Sequence, residues 1–197
     1  MNNNNKEIKD SGQKREFTTG SHRDFKKATE VGDCTLLPET SVILVLDLES
    51  TAKAHTIQEH LKEAVRDIMF YKQNTANKEY LAKAAYEALV AVGLDEGAVF
   101  QNANLEDNFA CLSLGLMRTS IHYAAGAEKY GRNNWKLGQP ISVLLDSGLR
   151  HCFKGISGND DEPHIRAAAW NFLCAVWTVE HLPEMQDLPV SGNEKPL

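Results

Sequence analysis

The sequence predicts an all-α protein, a helical bundle of about six helices with a helical insertion. Apolar residues recur at helical spacing in several segments, helix-start signals precede most of them, and no pair of convincing strands is present. The 197 residues are 42% hydrophobic, which is enough for one core. We expect one all-α domain over residues 17–182, a disordered polar tail over 1–16 and a peripheral, proline-containing tail over 183–197.

The first predicted helix follows a Leu-Leu-Pro sequence. Pro38 and Glu39 make a good first turn, and we expect a buried helix from there to about Ala54. The β-branched character of residues 41–48 also suits a strand, but the sequence offers no second strand for it to pair with. A helix is therefore favoured.

Two further helices fall in the segment of about 54–107, the predicted insertion. Thr56 and Glu59 form a capping box, and apolar residues follow at helical spacing. Asn77 is expected to begin the next helix and Gly93 to end it, because glycine often closes a helix.

The remaining three helices are predicted downstream of a linker. The first runs from Leu105 to Ala127, with one apolar face. Proline marks the start of the other two, over about 140–154 and 163–180. A short loop joins these last two helices, so they are expected to be antiparallel neighbours.

Charge and cysteine spacing exclude several classes of protein. The net charge of −6 argues against a binder of nucleic acid polymers. The four cysteines form no CxxC pair, and no apolar run is long enough to span a membrane. The sequence therefore indicates a cytoplasmic protein with a small-molecule ligand.

The segment from Gly126 to Lys136 has the side chains that a nucleotide requires. Cations suit phosphate, aromatic rings can stack on a base, and glycines allow close backbone approach. The alternative is a glycine-rich connection with solvated charges, and the residue types do not decide between the two.

A second constellation lies at the predicted junction of the last two helices. His151, Asp160, Asp161 and His164 should come within reach of one another, and imidazoles with carboxylates can hold a divalent ion. The alternative is that acidic residues here only cap a helix.

Arg150 is interpreted as a clamp for phosphate or carboxylate, and the alternative is a surface ion pair with Asp146. Small residues beside His164 and Asn171 should leave space for a ligand.

These motifs resemble a known family, the phage-borne dATP/dGTP diphosphohydrolase N-terminal domain, which is loosely related to all-α MazG-type nucleotide pyrophosphohydrolases. The resemblance rests on TGSHRD at 19–24, LLP at 36–38, GAEKYGRNNWKLG at 126–138, LDSGLRH at 145–151 and DEPHIRAAAWN at 161–171. It implies a helical fold, a nucleotide ligand and Mg²⁺ or Mn²⁺ as cofactor. Two departures stand out: residues from about 54 to 107 are inserted, and the paired ExxE and ExxD carboxylates of MazG-type catalysts are missing.

The leading hypothesis is a metal-assisted nucleotide pyrophosphohydrolase that releases pyrophosphate from purine (d)NTPs, in the host cytoplasm if a phage encodes it. The alternative is a protein that binds a nucleotide without hydrolysing it, such as a phage factor that sequesters a nucleotide signal.

A homo-oligomer is expected, because the tryptophans of the last helix and the inserted helices offer more apolar surface than one small bundle covers. The catalytic and metal-binding residues are predicted to be His151, Asp161 and His164. The nucleotide-binding residues are predicted to be Lys129, Tyr130, Arg132, Asn134, Trp135, Lys136, Arg150 and Asn171.

Overall fold

A computed structural model defines the fold over residues 14–16, 22–24, 33–46, 56–98 and 105–189. The helices of these residues are α1 (Glu39–Leu46), α2 (Ile57–Gln73), α3 (Glu79–Asp95), α4 (Leu105–Tyr130), α5 (Ile141–Ile156) and α6 (His164–His181). They form an all-α bundle, which confirms the predicted fold class.

A short antiparallel pair of strands, which the sequence did not predict, precedes the bundle. Strands β1 (Lys14–Glu16) and β2 (His22–Asp24) pair with Arg15 opposite Arg23. The first half of the TGSHRD motif, the end of the predicted first helix beyond residue 46 and the tail beyond 189 lie outside the described residues.

Helix α3 lies at the centre of the bundle, and it packs against α2, α4 and α6. Leu81, Leu89 and Val90 on three sides of it are fully buried. The inserted segment is therefore part of the common core, where the other helices of the same chain cover most of its apolar surface, while Met69 and Phe70 of α2 stay exposed.

Two glycines allow α3 and α4 to approach each other closely. A Cβ atom on Gly93 would lie 2.1 Å from the carbonyl oxygen of Cys111, and one on Gly115 would lie 2.0 Å from that of Leu89. Gly93 was predicted to end α3, and this prediction was wrong: the helix continues to Asp95, since Gly93 serves packing rather than termination.

Local signals place other helix ends well. The capping box is confirmed, because the side chains of Thr56 and Glu59 each bond the other residue's backbone N–H. The prolines stand directly before α5 and α6 as expected. Helix α3 begins two residues after Asn77, whose side chain accepts the N–H of Glu79, and α4 ends at Tyr130 rather than Ala127.

Candidate metal centre and cavity

Two histidines and a glutamate meet where α5 and α6 come together. The Nδ1 atoms of His151 and His164 are 3.0 Å apart. Oε1 of Glu162 lies 3.3 Å from Nδ1 of His164 and 3.6 Å from Nδ1 of His151. Here we call these three residues the histidine–glutamate cluster. His164 is buried, His151 is partly buried and Glu162 is exposed, so the cluster opens to solvent on one side.

The spacing of these three atoms fits one divalent ion. Ligands at about 2.1 Å from a common ion, at angles of about 90–110°, are about 3.0–3.5 Å apart. Imidazole nitrogens suit Mn²⁺ and heavier transition metals better than Mg²⁺, which favours oxygen. Burial lowers the pKa of His151 despite the opposing charge of Glu162, and a neutral ring is the form that binds metal.

The predicted carboxylate ligand, Asp161, has a different position. Its Oδ1 accepts from Nε2 of His164 at 2.7 Å, on the side of the ring away from Nδ1. Glu162, the next residue, faces the two Nδ1 atoms instead, so the predicted set of His151, Asp161 and His164 is corrected to His151, Glu162 and His164. Hydrogen bonds with His164 and then Lys154 hold the pKa of Asp161 below its usual value.

A cavity of about 630 Å³ begins at this cluster and extends along α4 and α6. Its volume is within the range of small-molecule sites. Its wall includes five residues predicted to bind nucleotide, together with Glu162 of the cluster: Lys129, Tyr130, Asn134, Trp135 and Asn171. We call it the main cavity. A second cavity of about 510 Å³ lies on the other side of the cluster and also includes Glu162, with Asp95, Asp160 and Arg166.

The glycine-rich segment begins as helix and then turns sharply. Gly126, Lys129 and Tyr130 belong to α4, so the loop starts later than the sequence suggested. Gly131 has φ of 93° and Asn133 has φ of 61°, in the left-handed region that glycine and asparagine tolerate best. These two conformations turn the chain back along the mouth of the main cavity.

Arg132 and Lys136 are paired with carboxylates that precede them by almost one hundred residues. Arg132 bonds Oδ2 of Asp33 at 2.9 Å and the hydroxyl of Thr35 at 2.6 Å. Lys136 lies 3.2 Å from Oε1 of Glu39. Phosphate would have to displace these partners, so the structure favours a role for Arg132 in holding the segment before α1, and for Lys136 in holding the first residue of α1, against the loop.

Lys129 and Tyr130 remain available at the mouth of the cavity. The ammonium group of Lys129 lies 4.9 Å from the centre of the Tyr130 ring. The ring of Tyr130 is 62% exposed, and both residues line the main cavity. A ligand can therefore reach this cation and the aromatic ring beside it, and it can also reach the exposed side chain of Asn134 in the same cavity wall.

Trp135 belongs to the aromatic core, which corrects its predicted role as a stacking platform. Its ring meets Tyr123 and Trp177 edge to face, with centroids 5.6 and 5.1 Å apart. Trp177 is buried as well, which removes one of the exposed aromatic faces on which the predicted oligomer rested.

Arg150 forms an exposed ion pair with Asp146. This ion pair is the alternative to a phosphate clamp that the sequence left open.

Asn171 presents a defined hydrogen-bonding group to the main cavity. Its Nδ2 donates to the carbonyl oxygen of Ala167 at 2.8 Å, and its side chain lines the cavity. Because a carbonyl can only accept, this bond fixes which end of the amide is nitrogen. Among the residues that the structure describes, none donates to Oδ1 of Asn171, which is left as an acceptor.

His122 is a cavity residue that the sequence interpretation missed. It lies on α4, and its ring centroid is 5.7 Å from that of Trp170. Burial lowers its pKa, the charges of His151 and Arg166 lower it further, and the charge of Glu162 opposes them. A single histidine on an apolar helix usually has a packing role, so nothing in the sequence distinguished it.

The chain thus contains an all-α bundle with a candidate divalent-metal centre at the end of a ligand-sized cavity. Residues 110–188 match the family model described as dATP/dGTP diphosphohydrolase, N-terminal. The matching description is that of the family that the motifs resemble, and the matched segment, which is shorter than half the chain, includes α5, α6 and the whole cluster. Comparison with the curated proteins and with the solved structures gave no match. None of the described helices is long and apolar enough to span a membrane.

Proposed function

We propose that the chain is a metal-dependent nucleotide pyrophosphohydrolase that acts on purine (d)NTPs. Water would attack the α-phosphorus, the bond from that phosphorus to the bridging oxygen would break, and monophosphate and pyrophosphate would leave. The observation that carries this proposal is the histidine–glutamate cluster at the end of the main cavity. The family description of residues 110–188 names a dATP/dGTP diphosphohydrolase, which supports the same reaction.

The cluster residues would hold the ion, with Mn²⁺ favoured over Mg²⁺ because two of three donors are nitrogen. A divalent ion at this position would polarise phosphate oxygens and lower the pKa of a bound water. Glu162 lines both cavities, so an ion held by this carboxylate would lie beside a phosphate chain that extends out of the main cavity.

Lys129 is the cation best placed to neutralise phosphate charge. Its ammonium group is exposed and lies at the cavity mouth, whereas Arg132 and Lys136 are paired with Asp33 and Glu39. Tyr130, with an exposed ring beside Lys129, would stack on the base.

The amide of Asn171 supports a base that carries an N–H donor on its edge. Seven residues separate Asn171 from His164 on α6, which is about 10.5 Å along the helix. That distance is similar to the distance between the α-phosphate and the far edge of the base in a purine nucleotide. An acceptor at this point suits the exocyclic amine of adenine, or the ring N–H and amine of guanine.

A second candidate is a protein that binds a nucleotide without hydrolysing it. Among the described residues, the metal-type cluster has only one carboxylate, Glu162, and three of the predicted phosphate cations are already paired with carboxylates. Binding needs the cavity, Lys129 and Asn171, but it does not need the ion. This function predicts affinity that survives chelation of metal.

Product analysis distinguishes the two functions. The purified protein is incubated with each dNTP and NTP, with Mn²⁺, Mg²⁺ or EDTA, and the products are separated by ion-exchange chromatography. The enzyme would give monophosphate and pyrophosphate with Mn²⁺, and His164→Ala would lose this activity. His181→Ala is the matched control, because His181 lies at the opposite end of the same helix. Intact nucleotide recovered under every condition, with binding in EDTA, would favour the second candidate.

A further inference from the structure

We propose that Asp161 is a positioning residue that fixes the tautomer of His164, so that Nδ1 of this ring is the atom offered to the metal ion. This inference rests on the proposed metal site, but its tests read the ring and the ion directly. They remain informative even if no nucleotide is hydrolysed.

The hydrogen bond itself determines the tautomer. Oδ1 of Asp161 lies 2.7 Å from Nε2 of His164. An ionised carboxylate can only accept, so Nε2 must carry the proton. Nδ1 of a neutral His164 then has a lone pair, and it faces His151 and Glu162 at 3.0 and 3.3 Å. A carboxylate that bonds a ligating histidine in this way fixes the tautomer and the orientation of the ring.

Lys154 makes the identity of residue 161 matter. Its Nζ lies 3.3 Å from Oδ2 of Asp161, so one carboxylate oxygen faces a cation and the other faces the ring. In Asp161→Asn, the ammonium group would attract the amide oxygen, and the amide nitrogen would turn towards Nε2. That nitrogen is a donor, and it would drive the proton of His164 onto Nδ1, where it blocks metal binding.

The structural environment permits these substitutions. The side chain of Asp161 is 63% exposed, whereas that of His164 is 1% exposed, so changes at residue 161 leave the packed ring in place. Asp160→Asn is the matched control, since it removes the same charge from the adjacent exposed position.

Two measurements test the proposal. The first is the protonation pattern of the His164 ring, read from long-range nitrogen–proton NMR correlations in the metal-free protein. The second is the affinity for Mn²⁺ alone, read from the electron paramagnetic resonance of the free ion. We expect the proton on Nε2 in the wild type and on Nδ1 in Asp161→Asn. The Kd for Mn²⁺ should rise about 10–100-fold in Asp161→Ala and in Asp161→Asn.

Asp160→Asn should keep the wild-type tautomer of His164. Its Kd for Mn²⁺ should change only by the small amount that follows from the loss of one nearby negative charge. A wild-type ring with its proton on Nδ1 would overturn the proposal. An unchanged tautomer in Asp161→Asn would overturn it too, as would a loss of Mn²⁺ affinity of the same size in Asp160→Asn.

Discussion

The contact between α3 and α4 gives a stability prediction that depends on a single carbon atom. In Gly115→Ala, the new Cβ would lie 2.0 Å from the carbonyl oxygen of Leu89, whereas real Cβ atoms essentially never come closer than 3.0 Å to such an atom. The obstacle is backbone inside a buried contact, so the helices must separate by about 1 Å. Forced repacking of a core typically costs about 1–3 kcal/mol, and we take the upper end because no side chain can rotate away.

Alanine also favours helix over glycine, by about 1 kcal/mol. The net prediction is that Gly115→Ala lowers the free energy of unfolding by about 2 kcal/mol. Gly126→Ala is the matched control on the same helix, since a Cβ there meets no atom within 4 Å. It should raise the free energy of unfolding by about 0.5–1 kcal/mol. Urea denaturation followed by circular dichroism measures both. Equal or greater stability of Gly115→Ala would refute the close helix contact.

Further predictions concern charge and recognition. Burial, with the nearby Glu87 and Glu63, raises the pKa of Asp67 to about 7, so the folded state holds a proton that the unfolded chain has lost. The contribution of Asp67 to stability is therefore full below its unfolded pKa of about 4 and is lost as the pH rises from there to about 7. At pH 8, the free energy of unfolding of Asp67→Asn should therefore exceed that of the wild type by about 1–2 kcal/mol, a figure that allows for the partial solvent exposure of this side chain. Denaturation curves of the two proteins at pH 8 and pH 4 measure the difference, which should vanish near pH 4. Lys129→Gln should raise KM for dGTP about tenfold with kcat nearly unchanged, as steady-state kinetics would show, if the lysine contributes uniform phosphate binding. Asn171→Ala should reduce the preference for dATP over the analogue that lacks the exocyclic amine, and an unchanged ratio of kcat/KM would assign base recognition to another residue.

Local signals explain what could be predicted from the sequence. The capping box at Thr56 and the prolines before α5 and α6 act within one helical turn, so the residues that decide the outcome are adjacent in the chain. The proximity of His151 to His164 followed from a short loop between two helices. That part of the site was therefore accessible without a structure.

Longer-range packing explains what could not be predicted. Asp161 and Glu162 are neighbours with the same charge, and only the orientation of the buried His164 ring decides which one faces Nδ1 and which one faces Nε2. The partners of Arg132 and Lys136 lie 99 and 97 residues earlier in the chain. The sequence pattern of these cations is the same whether they bind phosphate or form ion pairs with a distant segment of the chain.

The Gly93 prediction failed for a related reason. Glycine after an apolar run usually ends a helix, but here the missing Cβ admits the backbone of α4. The contact that explains Gly93 lies on another helix, so the local pattern could not reveal it.

The central claim, metal-assisted attack of water on the α-phosphorus of a purine nucleotide, has one direct test. dATP and dGTP are incubated with the protein and Mn²⁺ in water enriched in a heavy oxygen isotope, and mass spectrometry measures the incorporation of this heavy oxygen into each product. The account predicts one heavy oxygen in the monophosphate and none in the pyrophosphate, with no product from His164→Ala. Heavy oxygen in the pyrophosphate or in free phosphate, or nucleotide recovered intact at high protein concentration, would contradict it.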